Sequence, residues 1–158
     1  WTTCRSIALD TFKKIEEDIG KEIPIQNKLP LIGTKGNKHL TEGLLEKQKK
    51  ELSEHLPKTE LLEKQVDHLQ SKFGLTALEI VQRNSQDKLT PLSEVMPICE
   101  AEIKESIKNE HACTPTDVLA RRCRLAMVDI KEAQRLTPIV NDYLSESSLP
   151  TKQTKINL

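Results

Sequence analysis

The chain has 158 residues, of which 36% are hydrophobic and 30% are charged, and its 24 basic side chains balance 24 acidic ones. This length suits one domain, and the composition excludes both a membrane-spanning protein and a wholly disordered one. Because the charges balance, no general attraction to nucleic acid or acidic lipid is expected, and we predict no nucleic-acid partner. The many Leu, Lys and Glu residues favour helices.

The cysteines bear on metal binding and the redox compartment, and the first residues bear on whether the sequence is part of a longer polypeptide. The four cysteines form no C-x-x-C pair and no zinc-ligand spacing with the four histidines, so we expect no metal site and buried or half-buried thiols in a reducing compartment. The opening residues WTTCRSIALD are not a signal peptide and lack an initiator Met. We therefore expect a piece of a longer polypeptide.

Residues 1–20 predict a short leading segment followed by a helix that Gly20 ends. From the residues alone, Thr2 or Thr3 would cap this helix and Arg5 would lie on the surface. The residues that share one helical face are Ala8, Phe12, Ile15 and Ile19.

Residues 21–40 predict an ordered but irregular crossover, because Pro24 and Pro30 break helices and the segment around Gly33 and Gly36 is turn-forming. The spacing of these two glycines also suggests a phosphate-binding loop. No clear strand precedes it and no Lys-Ser or Lys-Thr pair follows it, so an ordinary loop is the preferred interpretation.

Four helices are predicted next, over 41–56, 59–73, 76–84 and 99–110, with a loop at 85–97. His68 invites a metal or acid–base hypothesis. No partner lies at helical spacing from it, so a packing or surface role is preferred. The residues predicted to face the core are Leu45, Leu52, Leu56, Leu62, Val66, Leu69, Phe73, Leu78, Val81, Ile103 and Ile107.

Residues 112–144 carry the most informative pattern in the chain. Thr114 predicts a helix cap, Pro115 suits the first helical position, and Asp117 places negative charge in the first turn. The residues expected on one continuous helical face after this start are Leu119, Cys123, Ala126 and Ile130.

Arg121, Arg122 and Arg124 fan round the other sides of this helix and are the most chemically suggestive group in the sequence. Guanidinium groups either grip a phosphate or carboxylate with two parallel bonds or fasten one structural element to another. We favour pairing and domain docking over direct substrate contact. Glu102 and Glu110 on the preceding helix are candidate partners.

Asp129 is predicted to cap a last helix that runs to Leu144, with Pro138 kinking or restarting it. The residues of this helix predicted to face the bundle are Ala133, Leu136, Val140 and Tyr143. Residues 145–158 are poor in core-forming side chains, so we expect a mobile tail. This tail contains no calcium-binding EF-hand loop.

Several segments resemble one protein family. TPTDVLARRCRLAMVD is similar to the signature T-x-x-DVL-x-RR-T-RLAF-x-D near the C-terminus of FAD-dependent glycerol-3-phosphate dehydrogenases. WTTCRSIALDT resembles the family element G-G-K-x-TTYR-x-[MLI]-A-x-D-T, with Cys4 in place of the usual Tyr. VDHLQSKFG and AEIKESIKNEHA resemble family segments that lie between these two, in the same order.

The resemblance implies an all-α fold, a compact bundle of about six helices with the irregular crossover near 21–40. Residues 1–20 would be the end of a flavin-domain strand plus a linking helix, 41–144 the C-terminal helical bundle and 145–158 the tail. The parent enzyme would oxidise glycerol 3-phosphate to dihydroxyacetone phosphate and pass electrons through FAD to a quinone.

The resemblance also implies roles for the first residues and for the chain as a whole. Thr2 and Thr3 would lie near the flavin and Arg5 near the active site. The chain itself would be a structural and docking domain that binds no cofactor alone and has no catalytic residue. Its partners would be the flavin domain, a second copy in a homodimer, and a quinone and membrane surface, at the mitochondrial inner membrane or the cytoplasmic face of a bacterial membrane.

Two questions stay open at this point. The sequence does not distinguish a dehydrogenase from a related oxidase. The alternative to a flavoenzyme domain is a free-standing helical protein-interaction module.

Overall fold

The computed structural model describes residues 3–22, 24 and 31–147 and is all-α, as predicted. Within these residues there is no strand, and the nearest approach to one is an isolated antiparallel bridge between Pro91 and Cys99. The α-helices are α1 (Cys4–Ile19), α2 (Lys38–His55), α3 (Leu62–Phe73), α4 (Ala77–Gln82), α5 (Gln86–Leu89), α6 (Glu100–Lys108), α7 (Leu125–Val128) and α8 (Ile130–Glu146). A 3₁₀ turn (Gly74–Thr76) precedes α4, and a π-helix (Asp117–Arg122) precedes α7.

Two hydrophobic clusters form the core, and α6 contributes to both. Cys99 and Ala101 pack with α2, α3 and α4, whereas Ile103 and Ile107 pack with the π-helix, α7 and α8. The core positions predicted from helical spacing that are buried are Leu52, Leu56, Val66, Leu69, Phe73, Val81, Ile103, Ile107, Ala133, Leu136 and Val140. Leu45, Leu62, Leu78 and Tyr143 are only half-buried.

A close approach between two glycines fastens the crossover to the bundle. Gly33 and Gly74 both have positive φ, and the carbonyl of Gly33 accepts a hydrogen bond from the Leu75 N–H at 2.9 Å. A Cβ atom at Gly33 would lie 2.4 Å from the Phe73 carbonyl oxygen. Neither position tolerates a side chain, so the turn that the sequence predicts here is also a packing contact.

One loop and two helix starts differ from the prediction. The predicted loop at 85–97 contains the short helix α5, whose Leu89 is buried in the core. α2 begins at Lys38, three residues early, because the Asn37 side chain accepts a hydrogen bond from the Leu40 N–H at 3.1 Å and caps the helix. α3 begins at Leu62 rather than near Thr59, because Thr59 lies in a turn and its carbonyl accepts from the Leu62 N–H. The start of α2 therefore follows from a side-chain cap, whereas the start of α3, which has no capping side chain, follows from the turn before it.

The C-terminal helix also departs from the prediction. Asp129 caps α8 as expected, since its side chain accepts from the Glu132 N–H at 3.0 Å. The helix then continues through Pro138 to Glu146, so of the two predicted effects of Pro138 the restart is wrong, and the kink stays a prediction. Residues 148–158, most of the predicted tail, lie outside the described residues.

Helix α1 is an amphipathic helix whose apolar side is not covered. Gly20 ends it in the left-handed conformation, as predicted, but α1 makes no extensive packing contact with any other described helix. The large apolar side chains that remain exposed on it are Ile7 (62%), Phe12 (47%), Ile15 (41%) and Ile19 (57%). Among the described residues, no helix has the length and apolar character required to cross a membrane.

Candidate functional site

The candidate site begins with the predicted cap of the arginine-bearing segment, and that cap is confirmed. The Thr114 hydroxyl accepts from the Asp117 N–H at 3.1 Å, and one Asp117 carboxylate oxygen accepts from the N–H groups of Thr114 (3.0 Å) and Cys113 (3.1 Å). Partial burial raises the pKa of Asp117, but the hydrogen bonds from Thr114 and Cys113 and the bond from Arg121 outweigh it, so the net pKa lies below its usual value. Asp117 therefore stays ionised and fixes the start of the helix.

The segment does not continue as the single α-helix that the spacing predicts. The Cys123 N–H bonds to the Val118 carbonyl five residues back, which makes this a π-helical turn, and Arg124 then adopts a left-handed conformation with φ 61°. Leu119 and Cys123 stay buried, but Ile130 falls at the start of a separate helix and is exposed. The predicted continuous face from Leu119 to Ile130 is therefore wrong, because the wider turn and the break at Arg124 change the helical register.

This break creates a cleft of about 500 Å³ between the segment and α3. Its wall contains basic, neutral polar and apolar side chains and, within the described part of the chain, no acidic one. The lining residues are His68, Ser71, Lys72, Met96, Arg121, Arg122, Cys123, Arg124 and Val128. The structure thus brings together the three arginines that the sequence singles out.

The three arginines differ in their partners. Arg121 forms an ion pair with Asp117 one turn back on the same segment. Arg122 reaches inward: its Nη2 donates to the Glu110 carbonyl at 2.7 Å, and its Nε lies 3.8 Å from the Glu110 carboxylate. The predicted pairing of Glu110 with this group is confirmed. The Arg124 side chain is exposed, and its guanidinium group makes no hydrogen bond or ion pair with any described residue.

A buried ion network lies behind the cleft and was not predicted. Glu102 is only 1% exposed, and its carboxylate lies 2.8 Å from His68 Nε2 and 3.1 Å from Lys72 Nζ. Lys72 also donates to the Ser106 hydroxyl at 3.0 Å and lies 3.7 Å from the Glu110 carboxylate. The predicted pairing of Glu102 with an arginine is therefore wrong.

His68 has a partner that sequence spacing could not reveal. Glu102 is 34 residues away, on α6, and only the packing of α3 against α6 brings the two together. Nothing in the sequence separates Glu102 from Glu100 and Glu105 on the same helix, which are only half-buried. His68 thus belongs to a structural network at the back of the cleft, where it bonds a buried carboxylate.

The site contains no activated nucleophile or metal cluster among the described residues. Burial raises the pKa of the Cys123 thiol to about 11, so Cys123 stays protonated at neutral pH and is a poor nucleophile. No group of three or more His, Cys, Asp or Glu side chains gathers in the described part of the chain. What the cleft can do is bind negatively charged groups through guanidinium donors.

The residues predicted near the flavin remain predictions. Thr2 lies outside the described residues. Thr3 occupies the N-cap position of α1, where its exposed side chain makes no capping hydrogen bond. Arg5 lies in the first turn of α1, and its side chain is not among those described.

Comparison with known proteins gives the family. Residues 25–154 match the family model described as the C-terminal domain of alpha-glycerophosphate oxidase. The chain is 32% identical to the probable mitochondrial glycerol-3-phosphate dehydrogenase of Dictyostelium discoideum over 149 residues, which are 89% of this chain and 21% of that protein. It is 33% identical to the mitochondrial glycerol-3-phosphate dehydrogenase of Macaca fascicularis over 155 residues, which are 91% of this chain and 19% of that protein.

A third relative extends the same pattern. The chain is 30% identical to the mitochondrial glycerol-3-phosphate dehydrogenase of Schizosaccharomyces pombe over 176 aligned positions, which cover 92% of this chain and 25% of that protein. The matches to these relatives thus span about a fifth to a quarter of their length. No solved structure shows significant similarity to the chain. The chain belongs to the family of C-terminal domains found in alpha-glycerophosphate oxidase and glycerol-3-phosphate dehydrogenases.

Proposed function

We propose that this chain is the C-terminal helical domain of a longer FAD-dependent glycerol-3-phosphate dehydrogenase and packs against that enzyme's flavin domain. The parent oxidises glycerol 3-phosphate to dihydroxyacetone phosphate and delivers the two electrons through FAD to a quinone. The support is the family membership and the names of the relatives, all of which are glycerol-3-phosphate dehydrogenases.

The flavin belongs to the other domain in this proposal. Dinucleotide cofactors are held at the ends of parallel strands and by glycine-rich turns that open a helix. The described residues include no strand, and neither Gly33 nor Gly74 opens such a turn, because their backbones pack against each other. The chain alone is therefore expected to hold no FAD and to be inactive. Thr2, Thr3 and Arg5, which precede or begin α1, are proposed to lie near the flavin and substrate only in the parent.

The observation that carries the proposal is the uncovered face of α1. This helix lies before residue 25, where the match to the C-terminal-domain family model begins. The similarity to the Schizosaccharomyces pombe enzyme nevertheless covers 92% of the chain, a larger share than the family model does. A solitary helix with a row of exposed apolar side chains gains little stability in water, because helices are stabilised mainly by packing that face. Contact with the preceding domain supplies the missing packing.

We place the parent at the mitochondrial inner membrane, where it meets its quinone, and expect a homodimer. The relatives are named as mitochondrial enzymes, which supports the compartment. The cytoplasmic face of a bacterial membrane is the alternative location for an enzyme of this chemistry.

The test uses the natural gene product, captured from source cells with an antibody raised against this chain. We expect a bound flavin whose visible absorption is bleached when glycerol 3-phosphate is added without oxygen. The isolated chain, treated in the same way, is expected to show no flavin absorption. A captured protein without flavin, or with a flavin that glycerol 3-phosphate does not reduce, would contradict the proposal. Peroxide release on admitting oxygen, without quinone reduction, would identify an oxidase instead.

A further inference from the structure

We propose that the cleft beside α3 is a docking surface for an acidic segment of the flavin domain, and that Arg124 is its anchor. This inference rests on the proposed function and names the contact through which the domain is held. It assigns different roles to the three arginines, for which the sequence predicted one shared role.

The charged side chains that line the cleft are all basic. Arg121, Arg122 and Lys72 line the cleft, whereas the acids that pair with them are not among the lining residues. Glu102, the most buried of these acids, is unavailable to an incoming group. A partner that approaches the cleft therefore meets a positive surface, and an acidic segment is attracted to it.

Arg124 is the arginine of the cleft that remains free to pair with that acidic segment. Arg121 is neutralised by Asp117 and Arg122 by Glu110, whereas the Arg124 guanidinium has no partner among the described residues. A guanidinium group offers five N–H donors in a planar fork that matches a carboxylate. Leaving such a group unpaired at the mouth of a cleft is consistent with a partner that the described residues do not supply.

The backbone holds Arg124 in an uncommon conformation. Its φ is 61°, a value that non-glycine residues rarely adopt, and its carbonyl accepts from the Met127 N–H at 3.0 Å. The neighbouring residues Cys123 and Leu125 are both buried, so the core fixes the chain on either side. Strained residues that the surroundings hold in place cluster at binding sites. The strained backbone at Arg124 is therefore held in place on both sides, and it fixes the point from which the side chain extends.

The rim of the cleft favours a protein segment over a small anion. Met127 is 75% exposed and Val128 is 64% exposed, three and four residues after Arg124, and Val128 and Met96 line the cleft. Arginine and methionine are enriched in protein interfaces, whereas lysine and acidic residues are depleted. A phosphate ion would leave these apolar side chains in water, but a carboxylate on a partly apolar segment would cover them.

The flavin domain is the partner because the same chain tethers it. In the proposed function α1 packs on that domain, so its surface is held near the cleft at a high effective concentration. Even a low-affinity contact through one guanidinium group and two apolar side chains is then formed most of the time. A separate partner protein would need a larger surface to bind at cellular concentrations.

The first experiment compares arginine reactivity in the isolated chain and in the natural full-length protein. Both are treated with phenylglyoxal, which modifies free guanidinium groups, and the sites are quantified by mass spectrometry. We expect Arg124 to react at least about tenfold more slowly in the full-length protein, as a buried bidentate pair requires. Arg83, which directly follows α4 and pairs with Glu105, serves as the control and is expected to react equally in both.

Hydrogen exchange of α1 in the same two samples separates this inference from the proposed function. Protection of both α1 and Arg124 in the full-length protein supports both. Protection of α1 with an equally reactive Arg124 overturns the docking role of the cleft and leaves the proposed function standing. If neither is protected, both fail. Inorganic phosphate that protects Arg124 in the isolated chain, without protection in the full-length protein, would also overturn docking, in favour of a small-anion site.

Substitutions distinguish docking from a structural role. R124G removes the guanidinium group and suits the left-handed backbone, so the isolated chain should unfold at the same or a higher denaturant concentration. In the full-length protein the same change should increase proteolytic cleavage within residues 21–40 several-fold. R124K keeps the charge but loses the fork and should show an intermediate effect. An R124G full-length protein that is as resistant as the wild type would refute the anchor.

Discussion

Replacement of Glu102 by Ala tests whether the buried ion network holds α3 against α6. The substitution leaves His68 without its carboxylate partner and removes one of the acids beside Lys72, at a site that is almost inaccessible to water. Breaking a buried ion pair from one side typically costs about 3–5 kcal/mol. Lys72 keeps the Ser106 hydroxyl and the more distant Glu110 carboxylate, so we expect the lower half of that range.

The matched variant E102Q fills the same volume without the charge. It still offers one acceptor, so we expect a smaller loss of about 1–3 kcal/mol. The free energy of unfolding is measured by urea titration with helical circular dichroism as the signal. E51Q, which changes an exposed glutamate on α2, is the control and should lie within about 0.5 kcal/mol of the wild type. An E102A variant as stable as E51Q would refute the structural role of the network.

Three further predictions follow from single contacts. G74A should lower the free energy of unfolding by well over about 1 kcal/mol, because a Cβ there meets the opposing backbone. G20A has a similar φ but open space around it and ends a helix that does not pack on the bundle, so it should change that free energy by less than about 0.5 kcal/mol in the same urea titration. Burial and its bond to a glutamate raise the pKa of Tyr143, the one tyrosine, to about 12, so tyrosinate absorbance should titrate near that value and not near the usual one. Bonding to Arg135 lowers the pKa of Glu132 to about 2, so this pair stabilises the fold above the pKa that Glu132 has in the unfolded chain, and the contribution is lost as the pH falls towards 2. The difference in the free energy of unfolding between wild type and E132Q should therefore shrink as the pH falls through that window. A difference that does not change with pH would contradict the pairing.

The core of each long helix could be predicted from sequence, and the reason is physical. In α3, Val66, Leu69 and Phe73 recur at the helical period, and burial of that stripe depends on local spacing alone. The Thr114 cap could be predicted for the same reason, since its hydrogen bonds join residues only three apart. Signals of this kind need no knowledge of the tertiary fold.

The site could be predicted only in part. Its arginines stand close together in sequence, but their partners depend on a π-helical turn that no residue pattern announces. That turn leaves Arg122 facing Glu110 and precedes the left-handed Arg124, so the three side chains acquire different roles. The pairing of His68 with Glu102 joins distant segments, and only the packed structure reveals it.

The two surfaces proposed to contact the flavin domain differ in chemistry. α1 offers an apolar face, and the cleft offers a positive one that Met96 and Val128 also line, with exposed Met127 next to Val128 in the chain. Apolar burial supplies most of the free energy of a domain contact, whereas a charge pair fixes its orientation. The proposed docking uses both, and so explains why a stable bundle carries an uncovered helix and an unpaired guanidinium group.

The size of the natural polypeptide tests the central claim most directly. An antibody raised against this chain is used to probe fractionated lysate of the source cells. The account predicts a band several times heavier than the chain's 17.9 kDa that sediments with mitochondrial membranes. A band near 17.9 kDa alone, in the soluble fraction, would contradict it and leave the free-standing helical interaction module as the better description.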